Sequence, residues 1–290
     1  MSGSAVVSLP PDPHPAPPAC RLPDGACDSH IHLFGPFDRY PLRDTRAFEP
    51  PLATPDMYRA TAGAMGLSRA VVVQSAAYGH DHSRLADALA GSHGAWRGIA
   101  LPDPTVDDAG LFELARAGVA GMRMHLRGMP QAMRHLSDWA ARLRALPGLE
   151  WHIEVLLDLD FLHAHRRALE TLGPRLVVDH MGFTRAEHAL AHPGLDTFRG
   201  LLREGRIWTK LSGVDRIGNR AGGYADARRL CDTLVAANPD RLVWGSDWPH
   251  ISRRVVPNDG ELLNRFATWL NDPALLARIL VANAAVLYGF

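Results

Sequence analysis

The chain has very little cysteine and almost no lysine. Three cysteines, Cys20, Cys27 and Cys231, are scattered over 290 residues, and no two form a CxxC pair. That argues against a disulfide scaffold and against a cysteine-built zinc site. Of the 31 basic residues, Lys210 is the single lysine and the rest are arginine. Any Schiff base or carboxylated-lysine metal bridge would therefore have to use Lys210. Net charge is absent too, with 31 acidic residues balancing the 31 basic ones. The chain has no global pull toward nucleic acid or a membrane surface, and neither is expected as a partner. No apolar run reaches the ~18 residues of a membrane span. The N-terminus lacks a basic region followed by an apolar one, so no secretory signal is expected, and a reducing cytoplasmic location is.

The 47% hydrophobic content is that of a globular protein. Residues 1–25 read as a flexible Pro-rich tail, with Pro10, Pro11, Pro13, Pro15, Pro17, Pro18 and Pro23 among small residues. Residues 26–290 read as one domain of alternating apolar runs and amphipathic stretches. The predicted strands are Ala26–Leu33, Ala70–Ser75, Trp96–Leu101, Gly118–His125, Leu149–Leu157, Arg175–His180, Arg206–Ser212 and Arg241–Asp247. Most are rich in Val, Ile or Leu, as strands buried on both faces of a parallel sheet are. The predicted helices are Asp56–Met65, Ser83–Gly91, Asp107–Ala117, Gln131–Leu146, Asp160–Leu172, Tyr224–Ala237, Gly260–Leu270 and Pro273–Leu287. Eight strands alternating with helices predict an α/β fold, a (β/α)8 TIM barrel. A doubly wound sheet would advertise a Gly-rich turn after its first strand, and none follows Ala26–Leu33.

A barrel builds its site at the C-terminal ends of its strands, and the polar residues collect there. Strand one ends on His30 and His32, which share a face by the two-residue period and could ligate a metal or hydrogen-bond a carbonyl. Strand eight ends on Asp247, a candidate general base or metal ligand beside strand one, followed by His250. Strand six ends Asp179-His180. Alternation lets only one of the two enter the mouth, and His180, close to Gly182, is the better candidate. Strand four carries Arg123 and His125 on one face, with Arg127 beyond, and Arg216 follows strand seven. Each arginine taken singly reads as structural. Two above one mouth would suggest an anionic substrate, since guanidinium binds carboxylate in bidentate fashion. Glu154 sits inside an apolar strand, where it needs a partner: a metal, an arginine or a group that it orients. Ser75, Tyr78 and Tyr40 are candidate wall residues. His80, His82, His163, His165, His188 and His192 fall in loops or helices and read as filler.

Taken in order, these motifs resemble the amidohydrolase superfamily, in its branch of pyrone-dicarboxylate, sulfomuconolactone and sugar-lactone barrel enzymes. The matching stretches are Asp28-Ser-His30-Ile-His32-Leu-Phe-Gly-Pro36, Gln74-Ser-Ala-Ala-Tyr78, Gly121-Met-Arg123, Asp179-His180-Met-Gly182, Lys210-Leu-Ser212, Trp244-Gly-Ser-Asp247-Trp-Pro-His250 and Asn283-Ala-Ala-Val-Leu-Tyr288. The resemblance implies metal-independent hydrolysis of a small anionic lactone. Asp247 would activate water, and His30, His32 and His180 would polarise the carbonyl and stabilise the oxyanion. Arg123, Arg127 and Arg216 would hold substrate carboxylates, with Ser75, Tyr78, Tyr40, His125 and His250 completing the substrate site. No cofactor is favoured.

Other members of the superfamily hold zinc. The second reading is therefore a mononuclear zinc hydrolase or nonoxidative decarboxylase, with His30, His32 and Asp247 as ligands and Glu154 as a further one. Lys210, on strand seven, is misplaced for the strand-four lysine that bridges two metals in some amidohydrolases, so at most one metal is expected. A third reading is lactone isomerisation. A fourth is a barrel that binds a metabolite without turning it over. The oligomeric state stays open.

Overall fold

The computed structural model describes residues 6–129, 132–173 and 175–290. Residues 1–5 of the expected tail, and Gln131 at the head of an expected helix, lie outside the described residues. Eight parallel strands form one sheet in sequence order. They are β1 (Cys27–Ile31), β2 (Arg69–Val73), β3 (Trp96–Ala100), β4 (Val119–His125), β5 (His152–Leu156), β6 (Leu176–Val178), β7 (Ile207–Leu211) and β8 (Leu242–Trp244). The sheet curls until β1 meets the segment after β8. Ile31 bridges Trp248 in parallel, the His32 amide donates to the Trp248 carbonyl at 2.8 Å, and the Asp247 amide donates to the His30 carbonyl at 2.9 Å. The result is a nearly closed TIM barrel, with helices packed against its outer face.

Strand pairing decides which side chains enter the barrel. Arg123 pairs with Glu154, Glu154 with Val177, Val177 with Trp208, and Lys210 with Val243, so these side chains share the inner face. The β1–β2 register slips between Asp28 and Ile31. That bulge lets Cys27 and His30, three residues apart, both serve the interior. The floor of the barrel is apolar: Cys27, Val71, Val73, Ile99, Val177, Trp208 and Val243 cluster with Ala284, Leu287 and Tyr288 of the closing helix Asn283–Tyr288. The polar inward residues therefore stand on an apolar plug.

Three elements depart from the sequence expectation. Strand six was expected to run to His180, but it ends at Val178, because His180 (φ 51°) and Met181 (φ 53°) take left-handed backbone. Strand eight was expected to run to Asp247, but it ends at Trp244. There the Asp28 carboxylate takes over the Ser246 amide at 2.9 Å, and Asp247 itself has φ 70°. The helix expected over Asp160–Leu172 is broken at His165 into Leu159–Ala164 and Arg166–Glu170. Three helices among the described residues escaped the sequence reading: the one-turn Ala186–Ala189 and Val214–Ile217, and one longer helix. Pro193–Arg203 starts on the His192 ring, which accepts from the Gly194 amide, and buries Leu195, Phe198, Leu201 and Leu202. The described part of the tail runs extended over the domain. Val6–Val7 pairs with Phe48–Glu49, and Asn258 and Asn264 hydrogen-bond to the backbone of Ala16, Ala19, His14 and Pro17.

The seam between β1 and β8 is tight enough to require glycine. A Cβ on Gly245 would stand 2.7 Å from the His30 Cβ and 2.9 Å from its amide nitrogen. Gly245→Ala is therefore expected to lower stability by about 1–3 kcal/mol, the usual range for overpacking, and to reduce turnover through displacement of His30. Thermal melts and steady-state kinetics on the same preparation check both.

Candidate active site

The closing seam delivers the first part of the site. His30 and His32, at the exit of β1, face Asp247: each Nε2 lies 3.7 Å from Asp247 Oδ1. His180 joins from the β6 exit, with its Nε2 4.0 Å from the same oxygen. All four side chains are buried. The left-handed turn after Val178 is what carries His180 in, and Gly213 makes room for it: a Cβ there would stand 2.9 Å from the His180 ring. The four residues singled out for catalysis thus converge.

The expectation that only one of Asp179 and His180 would enter is corrected. Strand alternation does not apply beyond Val178, and both side chains turn inward. Asp179 Oδ1 lies 3.4 Å from His30 Nδ1, and its Oδ2 accepts from Arg123 Nε at 3.0 Å and lies 3.0 Å from Arg123 Nη2. The sequence reading also missed the part played by Lys210. Its Nζ donates to Glu154 Oε2 at 2.6 Å and faces His30 Nδ1 at 3.1 Å. A signal was present: a lone lysine in one apolar strand and a glutamate in another are complementary buried charges, each needing a partner.

Burial sets the protonation of the imidazoles. It pushes His32 down to about 3, helped by the Arg123 guanidinium. It holds His30 and His180 well below the ordinary histidine range, helped by Lys210 for His30 and by His30 for His180. All three rings are neutral at neutral pH. Burial raises Asp247 above the usual carboxylate range, against the pull of Arg216. For Asp179 burial also works upward, but Arg123 and Lys210 outweigh it and hold the carboxyl low. The cluster therefore offers neutral ring nitrogens around one buried carboxylate.

The substrate-site candidates scatter more. Arg216 Nε donates to Asp247, and its Nη1 reaches the Ile251 carbonyl at 3.2 Å. Arg123 and His125 line one side of a cavity of about 530 Å³ beside the β4 exit, with Met122, Met124 and Trp139 among its other walls. Arg127 is exposed at the rim, over the Phe183 ring at 5.0 Å. Tyr78 is buried, and its hydroxyl accepts from the Gly35 amide at 2.7 Å. Ser75 caps the short turn Ala76–Tyr78. Tyr40 is turned aside, donating to Asp87 at 2.6 Å. His250 is also turned away from a substrate role. It is fully buried, with Nε2 2.9 Å from Asp259 Oδ1 and Nδ1 3.7 Å from Asp215 Oδ2.

Three groups of His, Asp or Glu among the described residues bring ligand atoms within 4.8 Å of one another: His30–His32–Asp247, His30–Asp179–His180 and Asp215–Asp247–His250. Glu154, expected as a further ligand, is in none of them, because its carboxylate accepts from Lys210 and from the Tyr288 hydroxyl at 3.3 Å. The first group has the donor types of a mononuclear zinc site. Two cationic side chains stand behind it: Lys210 faces the Nδ1 of His30, and Arg216 donates to Asp247 Oδ2, the oxygen turned away from the two rings.

His250 links the loop carrying Asp247 to the short helix Val214–Ile217 carrying Arg216. The two flanking carboxylates raise it, against the cost of burial, to about 10. A folded value above the unfolded ~6.5 means that this charge stabilises fully below pH ~6.5, and the contribution fades as pH climbs toward 10. His250→Gln is expected to cost about 3 kcal/mol near pH 6, as when one partner of a buried ion pair is removed. The gap in Tm between variant and wild type should narrow steadily up to pH 10.

The amidohydrolase family model matches residues 27–290. A 4-sulfomuconolactone hydrolase of Hydrogenophaga intermedia is 31% identical, over 100% of this chain and 98% of its own. A 2-pyrone-4,6-dicarboxylate hydrolase of Comamonas testosteroni is also 31% identical, over 95% and 93%. A solved Agrobacterium tumefaciens structure superposes with TM-score 0.82 at 28% identity, covering 94% of this chain and 98% of that one. The protein is an enzyme barrel, and the chain belongs to the amidohydrolase family.

Proposed function

We propose that the protein hydrolyses a small carboxylated lactone without a metal. The observation that carries this reading is the arrangement of three neutral imidazoles within 4.0 Å of one buried carboxylate, Asp247. The two relatives named above, each a hydrolase of an anionic lactone or pyrone, support it.

In this mechanism the lactone carbonyl faces the imidazoles, and a water lies between it and Asp247. Asp247 takes a proton as the water oxygen attacks. Negative charge develops on the carbonyl oxygen, where preoriented N–H groups stabilise it better than water could. The ring C–O bond then breaks, and the leaving oxygen recovers a proton. The product is an open hydroxy or keto acid with one more carboxylate than the substrate. Arg216 and Arg123 supply cationic charge beside this centre, suited to a substrate that is already anionic, and Arg127 does so at the rim.

Asp247→Asn should cut kcat by about 10²–10⁴, the usual span for a general base, while leaving the thermal melt near wild type. Near-unchanged kcat on an active lactone removes Asp247 from the role. A panel of mono- and dicarboxylate lactones, run in ¹⁸O-labelled water with and without zinc, tests the reaction class. Hydrolysis places label in the product and needs no zinc. An unlabelled isomer, or activity only with zinc, replaces this reading by isomerisation or by the zinc-dependent one.

A further inference from the structure

The mechanism above leaves several buried charges unused, Lys210 among them. Lys210 is 0% exposed and stands on the inner face of β7, one strand from the seam. Its Nζ donates to Glu154 Oε2 at 2.6 Å and lies 3.1 Å from His30 Nδ1. An ammonium has three donors and no lone pair. The nitrogen that it faces on His30 must therefore accept, so Nδ1 is bare. A neutral imidazole then carries its proton on Nε2.

A second argument starts from the other end. His32 Nδ1 lies 2.8 Å from the Val73 carbonyl oxygen, which can only accept. His32 thus carries its proton on Nδ1, and its Nε2 is a lone pair. The two deductions are independent and they meet: His30 Nε2 and His32 Nε2 are 3.3 Å apart, donor to acceptor. The rival partner for a proton on His30 Nδ1 would be Asp179 Oδ1, but at 3.4 Å it stands farther from that nitrogen than the lysine does, and it lies 3.6 Å from Lys210 Nζ as well.

We propose that Lys210, held by Glu154, is a positioning residue that locks His30 as its Nε2–H tautomer. The mouth then presents one N–H and one lone pair instead of the two lone pairs that a metal would need. This divides labour among the imidazoles. His30 is the donor available to a developing oxyanion. His32 Nε2 takes up the His30 proton donor in the resting site and keeps its lone pair when a carbonyl displaces it. The same lysine makes His30 a poor ligand, because Nε2 cannot bind a cation while it holds its proton. The catalytic consequence rests on the lactonase reading. The tautomer and the metal preference do not.

The first test uses the wild-type protein. Long-range ¹H–¹⁵N correlation on ¹⁵N-histidine protein, with His30 and His32 assigned from His30→Gln and His32→Gln spectra, reads both tautomers at neutral pH. The expected result is Nε2–H for His30 and Nδ1–H for His32. Nδ1–H on His30 overturns the proposal, whatever the enzyme's activity. The second test removes the charge without stranding its partner, in the double variant K210M/E154Q. His30 should then populate both tautomers. Zinc affinity, measured against a chelating indicator, should rise about 10–100-fold, the scale on which groups behind a ligand tune metal binding. On an active lactone, kcat should fall by about 10²–10³, the cost of losing one oxyanion donor, with KM changed far less. A folded double variant with wild-type tautomers and zinc affinity also overturns the proposal. If Asp247→Asn stays active while the tautomers are as assigned, the lactonase reading fails and the role of Lys210 stands.

Discussion

A lysine ammonium sealed inside a barrel is the constraint around which this site is organised. Removing such a charge from water costs several kcal/mol even after relaxation, and only close partners offset it. Lys210 finds them on three other strands: Glu154 on β5, Asp179 at the exit of β6, and His30 on β1. Each partner is itself buried and needs the lysine in return. The ring of dependence runs on, since Asp179 also binds Arg123 of β4. Glu154 also takes the Tyr288 hydroxyl, from the helix that plugs the barrel floor. A single charge on β7 thus ties together groups contributed by four other strands and the C-terminal helix.

Above this layer the mouth alternates in sign. Asp247 is paired to Arg216, the neighbouring Asp215 lies 3.1 Å from Arg253, and His250 stands between Asp215 and Asp259. The imidazoles in the middle stay neutral, because burial and the surrounding cations both oppose a further positive charge. The arrangement leaves Arg216 with two claims on it. Its guanidinium already touches the carboxylate proposed as base, so an incoming substrate carboxylate competes with Asp247 for the same N–H groups. An anion that wins that contest leaves Asp247 with one cation fewer, and a more basic oxygen.

The barrel itself was legible because its signal is long-range and redundant. Eight apolar runs at regular spacing survive errors of two or three residues at each end, and the predicted strands coincide with the observed ones in order and core. The strand-end residues His30, His32, His180 and Asp247 were legible for the same reason, since a barrel gathers its strand exits in one place. Local geometry was harder to read. Period-two alternation placed Asp179 and His180 on opposite faces, but the chain leaves the strand at Val178 and the left-handed residues that follow bring both inward. His250 looked like a mouth residue by its position, yet the carboxylates that enclose it come from Asp215 and Asp259, on other segments. In the sequence Lys210 stands out by its rarity, which confines any Schiff-base or metal-bridging lysine chemistry to it and says nothing of its partners. Its partners on other strands become visible only once strand register is known.

The seam at Gly245 and Trp248 has a bearing on how the molecule is made. The histidines of β1 and the aspartate beyond β8 stand at opposite ends of the domain, and the site exists only where those ends touch. A ribosome releases the histidines early and the aspartate among the last segments. Until the barrel shuts, the chain carries half a catalytic apparatus and no pocket to use it in. The site therefore needs both terminal strands in place, and a fragment missing either one lacks it however well its middle folds.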